Sequence, residues 1–286
     1  MSKYSYSRLE VFKQCPYKYK IMYLDGHYIQ YDSIATKFGS LIHLIEEEIG
    51  NAIKNNEAIG YDHLIAFFDR EILKLKEEFK KDFYELDKSG RTYEDKALYY
   101  RNEAIYRLER RVKNEKLTIV DCEKEFTFKY NDITFHGFID RIFKKDNYYI
   151  IEDIKTYNLP LPENKLTNPL QFIIYELALK DKLSNNIVCK YDLPLCNIVQ
   201  PTIINNLDID SLLEEIDKSD FHPCPSPLCY WCIYSETFPS QPAEAKGLCP
   251  YYSLWTKEHK TKKVNIKWKG KDEDKIILEE FKKMLK

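Results

Sequence analysis

Glycine is scarce in this chain, 8 of 286 residues, and proline contributes only 12. That shortage excludes collagen-like and low-complexity architectures. No fixed-period repeat runs through the sequence, so solenoids and propellers are also set aside. No stretch approaches the roughly 20 apolar residues of a membrane span, and the opening MSKYSYSRLEVF lacks the apolar run of a signal peptide. The expected compartment is therefore the cytoplasm, with no membrane partner. Neither sign of charge dominates: Lys and Arg number 44 against 46 Asp and Glu, for a net charge of −2. A general attraction to nucleic acid is excluded, and any such surface must be local.

What the chain does contain is ordinary globular material, 44% hydrophobic and 31% charged, with 23 tyrosines. Its length suits one elaborated domain or two small ones. Eight cysteines in a cytosolic chain read as thiols or metal ligands rather than disulfides. Residues 5–25 predict a helix capped by Ser5 or Ser7 and interrupted at Pro16. TKFGSLIHLIEEEIGNAIK predicts a second, with Leu41, Ile45 and Ile49 at helical spacing. Two long charged helices, about 62–86 and 92–116, read as a solvated insertion spanning 55–116. EKEFTFKYND, ITFHGFIDRIFKKD and NYYIIEDIKTY then predict a three-stranded meander. A helix over NPLQFIIYELALKDKL, strands at IVCKYDL and IVQPTII, a short helix at 208–218 and an irregular cysteine-rich segment at 222–252 follow. This order predicts an α/β chain with helices on both faces of a sheet.

The segment YYIIEDIK poses the functional question, because an apolar strand ends in charges that are costly to bury. Either the strand runs into solvent as a simple salt pair, or the charges meet a metal ion and a phosphate. Asp140 ends the neighbouring run FHGFID, so a hairpin would set Asp140 beside Asp153. Two such carboxylates repel unless a cation lies between them, and oxygen ligands suit Mg²⁺ or Mn²⁺. Lys155, two residues beyond Asp153, falls on the same face and can hold a phosphate or orient water.

Gly137-Phe138-Ile139-Asp140 followed by Asp153-Ile154-Lys155-Thr156 resembles the active-site meander of the PD-(D/E)XK nuclease superfamily, and its RecB-like branch in particular. FGSLIHLIEE resembles that branch's Gly-x-x-x-His helix, and QFIIY its Q-x-x-x-Y helix. YSRLEVFKQCPYKYK resembles its opening motif, with Cys15 in the cysteine position. The resemblance implies a restriction-endonuclease-like central mixed sheet flanked by helices, with a helical insertion and a cysteine-ligated C-terminal segment. It implies His43, Asp140, Asp153 and the Ile154 carbonyl as metal ligands, Lys155 as the catalytic lysine, and Gln171 and Tyr175 as DNA contacts. Glu125, or equally Glu123, is a candidate further acid near the metal, unless both are simply exposed.

In the iron–sulfur members of that branch (AddB-type nuclease domains and CRISPR-associated adaptation exonucleases) one N-terminal cysteine joins three C-terminal ones around a 4Fe–4S cluster. Carried onto this chain, the ligands are Cys15, Cys229, Cys232 and Cys249. The long segment between Cys232 and Cys249 departs from the pattern, so Cys224 is an alternative to Cys15 or Cys249, and zinc is an alternative to the cluster. Cys122, Cys189 and Cys196 read as packed small hydrophobes. The expected organisation is a nuclease domain over 1–255 and a basic tail over 256–286. That tail, with Trp255 and Trp268, reads either as a phosphate-tracking strip or as a solvated terminus. The expected function is metal-dependent DNA hydrolysis, as an exonuclease in recombination, repair or processing, with a helicase or recombination protein as partner. The alternatives are an inactive DNA-binding or scaffold protein that keeps the fold, and a zinc-stabilised interaction protein.

Overall fold

The computed structural model describes residues 3–249 except 88, 181–182, 184–185, 207, 237 and 239–240, so the basic tail lies outside the described residues. The chain divides into two compact units. Among the described residues, the larger takes in Asp32–Phe128 and His136–Leu207, and the smaller the chain up to Tyr31, Lys129–Phe135 and the segment from Asp208 to Cys249.

In the smaller unit, β1 (Lys3–Tyr4) precedes α1 (Tyr6–Gln14) and α2 (Pro16–Tyr19). The Ser5 side chain accepts from the Arg8 N–H and caps α1. Cys15 is extended between the helices, and Pro16 supplies the first residue of α2, where its missing N–H costs nothing. The helix expected over 5–25 with an interruption at Pro16 is thus two helices that meet there, followed by a π-helical turn at Lys20–Leu24.

The larger unit opens with α3 (Ile34–Asn55), capped by Ser33 and ended by Asn56 in the left-handed region. There follow α4 (Tyr61–Glu78), α5 (Lys80–Tyr84), α6 (Tyr93–Tyr99) and α7 (Arg107–Glu115). The expected pair of long helices is interrupted at Phe79 and by a π-helical turn at Tyr100–Ala104. Nor is this region merely solvated. Phe68, Leu75, Phe83, Tyr100, Leu108 and Val112 bury themselves with Ile42, Ile45 and Ile49 of α3 in one core. Charge counting concealed that apolar stripe, which sits on one face of otherwise polar helices.

The meander forms as expected: β2 (Thr118–Tyr130), β3 (Ile133–Lys145) and β4 (Tyr148–Ile154). After α8 (Leu170–Leu179) come β5 (Ile187–Leu193), β6 (Ile198–Pro201) and α9 (Asp210–Lys218). The six-stranded mixed sheet runs β1-β3-β4-β5-β6, with β2 also on β3. The β3–β4 hairpin is antiparallel, β4–β5 parallel and β5–β6 antiparallel. Central β4 is buried along Ile150–Ile154, as a strand covered on both faces must be.

Gly50 shows how closely α3 lies on the sheet. A Cβ built there would meet the Cys122 sulfur at 2.6 Å, while the Cys122 Cβ stands 3.9 Å away. Gly50→Ala should therefore destabilise the fold by about 1–3 kcal/mol, although alanine is the better helix former. Adding Cys122→Ala, which removes the obstructing sulfur, should restore most of the loss. Urea denaturation of the two single variants and the pair measures this, and additive losses would refute the contact.

Candidate active site

The hairpin register sets Arg141 opposite Glu152. One residue further along the same register, Asp140 falls opposite Asp153, at the end where the pairing stops. The two carboxylates are thus neighbours where the β3–β4 pairing stops, near the end of β4 and midway along β3. Asp140 Oδ2 accepts from the Ile154 N–H at 2.6 Å and lies 3.6 Å from His43 Nδ1.

His43, Glu123 and Asp140 each offer a donor atom within 4.8 Å of the other two, the one such group among the described residues. Burial, and then the neighbouring Asp153, push the Asp140 carboxyl well above the ordinary carboxylate range. Burial also raises Glu123, with Glu47 and Asp153 adding to it. Burial lowers the His43 imidazole, against the pull of Asp153 and a hydrogen bond with the Ile154 main chain. A neutral imidazole beside buried, crowded carboxylates is a donor set suited to a hard divalent cation, which offsets the burial and repulsion that raise them. An open cavity of about 570 Å³ fronts the group, lined by Gly39, Ser40, His43, Glu47, Glu123 and Asp140 among others.

The glycine of the Gly-x-x-x-His helix has a local reason. A Cβ on Gly39 would lie 3.3 Å from the Thr156 hydroxyl, so its absence lets α3 approach the end of β4. Glu123 has φ +44°, a left-handed residue inside β2. This breaks the alternation that would have put Glu123 and Glu125 on one face. Glu123 joins the group, and Glu125 is exposed.

Asp153 is 2% exposed and held by other partners. Lys155 Nζ stands 2.6 Å from its Oδ2, and Gln171 Nε2 donates to its Oδ1 at 2.5 Å. The Tyr175 hydroxyl donates to Oδ1 at 3.3 Å, and Lys155 also donates to Gln171 Oε1 at 3.0 Å. Burial, then Asp153, keeps the Tyr175 phenol protonated far above its usual range. Gln171 and Tyr175, expected as DNA contacts, are buried and turned onto Asp153. One helical turn apart on α8, they brace the carboxylate and through it the lysine.

Sequence reasoning passed over a second set of charges. Arg141, Glu152 and Lys190 are Cα partners across β3, β4 and β5, and all three are fully buried. Arg141 Nε donates to Glu152 Oε1 at 2.9 Å, and its terminal nitrogens to Glu46 Oε2 at 2.7 Å and Asp192 Oδ2 at 2.8 Å. From α7, Arg111 donates to Glu152 at 2.6 Å, and Arg107 bonds Asp192. Lys190 lies 3.4 Å from Glu152 and 3.8 Å from Glu115. The available signal was charge at alternate positions of an apolar strand, Lys190 and Asp192 in IVCKYDL, which a strand buried on both faces does not tolerate unpaired.

Within the smaller unit, Cys15, Cys224, Cys229, Cys232 and Cys249 line one cavity of about 50 Å³. The Cys224 N–H points at the Cys15 sulfur at 3.5 Å, and the Ser226 N–H at the Cys229 sulfur at 3.3 Å. Burial raises the Cys232 thiol, Lys18 opposes it, and Cys229 and Cys15 add to it. Cys122 and Cys189 are buried singly in the larger unit, and Cys196 partly so.

The family model of the PD-(D/E)XK nuclease superfamily matches residues 3–193, which include every residue of the site around His43 and Lys155. The chain belongs to the PD-(D/E)XK nuclease superfamily. Its mixed sheet between helices is the restriction-endonuclease-like fold that the motifs implied. The superfamily match stops short of Cys224, Cys229, Cys232 and Cys249. Among solved structures, a candidate exonuclease from Eubacterium rectale is similar at 11% identity and TM-score 0.42, over 80% of this chain and 86% of its own. The crystal structure of SSO0001 is similar at 21% identity and TM-score 0.31, over 52% of this chain and 78% of its own. No curated protein matches the chain.

Proposed function

We propose that this PD-(D/E)XK superfamily member is a Mg²⁺- or Mn²⁺-dependent deoxyribonuclease of the RecB-like branch, acting as an exonuclease in DNA recombination, repair or processing. The observation that carries the reading is the meeting of His43, Glu123 and Asp140 beside the braced pair Asp153–Lys155. His43, Asp140, Glu123, Asp153 and the Ile154 carbonyl would hold the cation. When bound, it would lower the pKa of a water and offset charge on the phosphate. The chain's own groups supply the rest. Lys155, partly open to solvent, offers a fixed ammonium to a phosphate oxygen and an anchor for the attacking water. Gln171 and Tyr175 hold Asp153 in one orientation, and with it Lys155.

The cysteine cavity supports a second group, a 4Fe–4S cluster on Cys15, Cys229, Cys232 and Cys249, with Cys224 on the same cavity and zinc as the alternative. DNA is the proposed partner, together with a helicase or recombination protein.

End-labelled single- and double-stranded DNA, incubated with Mg²⁺, Mn²⁺ or EDTA, tests the activity. Cleavage that EDTA abolishes is expected; DNA binding without cleavage under either cation would favour an inactive scaffold. Anaerobically purified protein should be brown, and Cys229→Ser should bleach it, whereas colourless protein carrying zinc would replace the cluster.

Metal affinity should depend on pH with a fixed sign. Asp140 and Glu123 must release protons to bind a cation, and both hold them more tightly than ordinary carboxyls. His43 is already neutral at lower pH than usual. Mn²⁺ affinity should thus climb with pH, by up to about tenfold per unit for each proton released. Titration calorimetry in buffers of different ionisation enthalpy counts those protons. Flat affinity with no proton release would contradict the assignment.

A further inference from the structure

The buried charge network and the metal-ligating group share the same two segments of chain. His43 and Glu46 lie on α3, three residues apart, and Asp140 and Arg141 are adjacent in β3. Two contacts therefore join α3 to β3 side by side: His43 to Asp140 at 3.6 Å and Arg141 to Glu46 at 2.7 Å. Their surroundings differ. The His43 side chain keeps 34% of its surface and stands at an open cavity. Glu46 and Arg141 are 1% and 0% exposed. Glu46 is held from both ends, by Arg141 on Oε2 and by the Tyr100 hydroxyl on Oε1 at 3.2 Å.

Arg141 has little freedom of its own. Its other nitrogens are committed to Glu152 on β4 and Asp192 on β5, so the guanidinium is fixed to the sheet from three strands. Its charge is answered in kind. Arg107, Arg111, Arg141 and Lys190 face Glu46, Glu115, Glu152 and Asp192. A planar, immobile fork of this sort sets the distance and rotation of whatever it binds.

We propose that Glu46 and Arg141 are positioning residues for metal binding: the Arg141 fork, gripping Glu46, holds α3 where the His43 imidazole meets Asp140 and Glu123. This rests on the reading of His43 as a metal ligand. Reach, rather than charge, is then the quantity that matters. Glu46→Asp keeps the charge but withdraws the carboxylate by one methylene, so α3 must move or the bond is lost. Glu46→Gln loses the charge but keeps the reach, with an amide oxygen still able to accept from Arg141.

Mn²⁺ binding to the purified full chain, measured by calorimetry well below the melting temperature, separates the two. Glu46→Asp should weaken binding about tenfold or more, in the range usual for groups that orient a metal ligand. Glu46→Gln should stay within about threefold of wild type. Lys54→Ala, which cuts the exposed α3–β2 pair Lys54–Asp121 at 2.8 Å, should leave the affinity unchanged. Wild-type affinity in Glu46→Asp would overturn the proposal, whatever happens to its melting temperature. Equal losses in both Glu46 variants would also overturn it, by making charge the cause. Failure of the wild-type chain to bind Mn²⁺ would instead strike the metal reading itself.

Discussion

Asp140→Asn should cut DNA cleavage by roughly a thousandfold or more, about 4 kcal/mol of transition-state stabilisation, and yet raise the melting temperature of the metal-free protein. The two effects share one cause. Burial and the nearby Asp153 make the charged form of Asp140 unfavourable, which is why its carboxyl is raised. A carboxyl raised by folding adds stability only while protonated. That contribution is complete below the unfolded value and is lost as pH climbs through the folded one. Asparagine keeps the shape and can still accept from the Ile154 N–H, but never carries the charge. The variant's advantage should therefore be small near pH ~4, widen as pH rises, and level off above the folded pKa. With Mn²⁺ present the order should reverse, because only the wild type gains stability by binding. Melting curves with and without Mn²⁺ across that range provide the check. A metal-free variant that melts below wild type at high pH would refute the account.

Arg141→Met should be the most damaging single change for the fold. It removes the cation shared by Glu46, Glu152 and Asp192, all essentially without solvent contact. Breaking a buried ion pair costs about 3–5 kcal/mol, against a total stability of about 5–15 kcal/mol for a typical domain. Arg111 and Lys190 remain as partners of Glu152, and Arg107 and Arg111 as partners of Asp192, so the deficit should fall mainly on Glu46. Carboxylates left without a cation have their pKa values raised, so their penalty disappears as they protonate. The variant should thus be unstable at neutral pH and recover part of the loss on acidification. Urea denaturation at neutral and at mildly acidic pH tests this, and a constant difference between variant and wild type would contradict it.

The parts of the site that could be read in the sequence are those fixed by strand periodicity. Asp153 and Lys155 stand at the end of β4 and Asp140 where β3 stops pairing with it, and alternation alone assigns Asp153 and Lys155 to one face. Glu123 could not be separated from Glu125, because its left-handed backbone breaks that alternation. The network was hidden for another reason. Arg107 and Arg111 occur in the run RLERRVKNE, where every polar residue looks like solvent-facing surface. Their partners, Glu152 and Asp192, lie far along the chain and are brought to them only by the tertiary fold. Helix breaks at Phe79 and Tyr100 were illegible because neither carries a glycine or proline signal. Gln171 and Tyr175 were legible in position, but their inward orientation depends on where α8 rests.

Back-to-back placement of Asp140 against Arg141, and of Glu152 against Asp153, bears on how the chain finds its fold. Each strand of the hairpin carries a core charge and a site charge on consecutive residues, so a one-residue slip in pairing exchanges their faces. Arg141 would leave its three carboxylates, and Glu152 or Asp153 would meet the wrong neighbour. In an uncharged hairpin such a slip costs some packing; here it strands several ions in the interior at once. The correct pairing of β3 with β4 is therefore checked by electrostatics as the hairpin docks, and misregistered chains are left too unstable to persist.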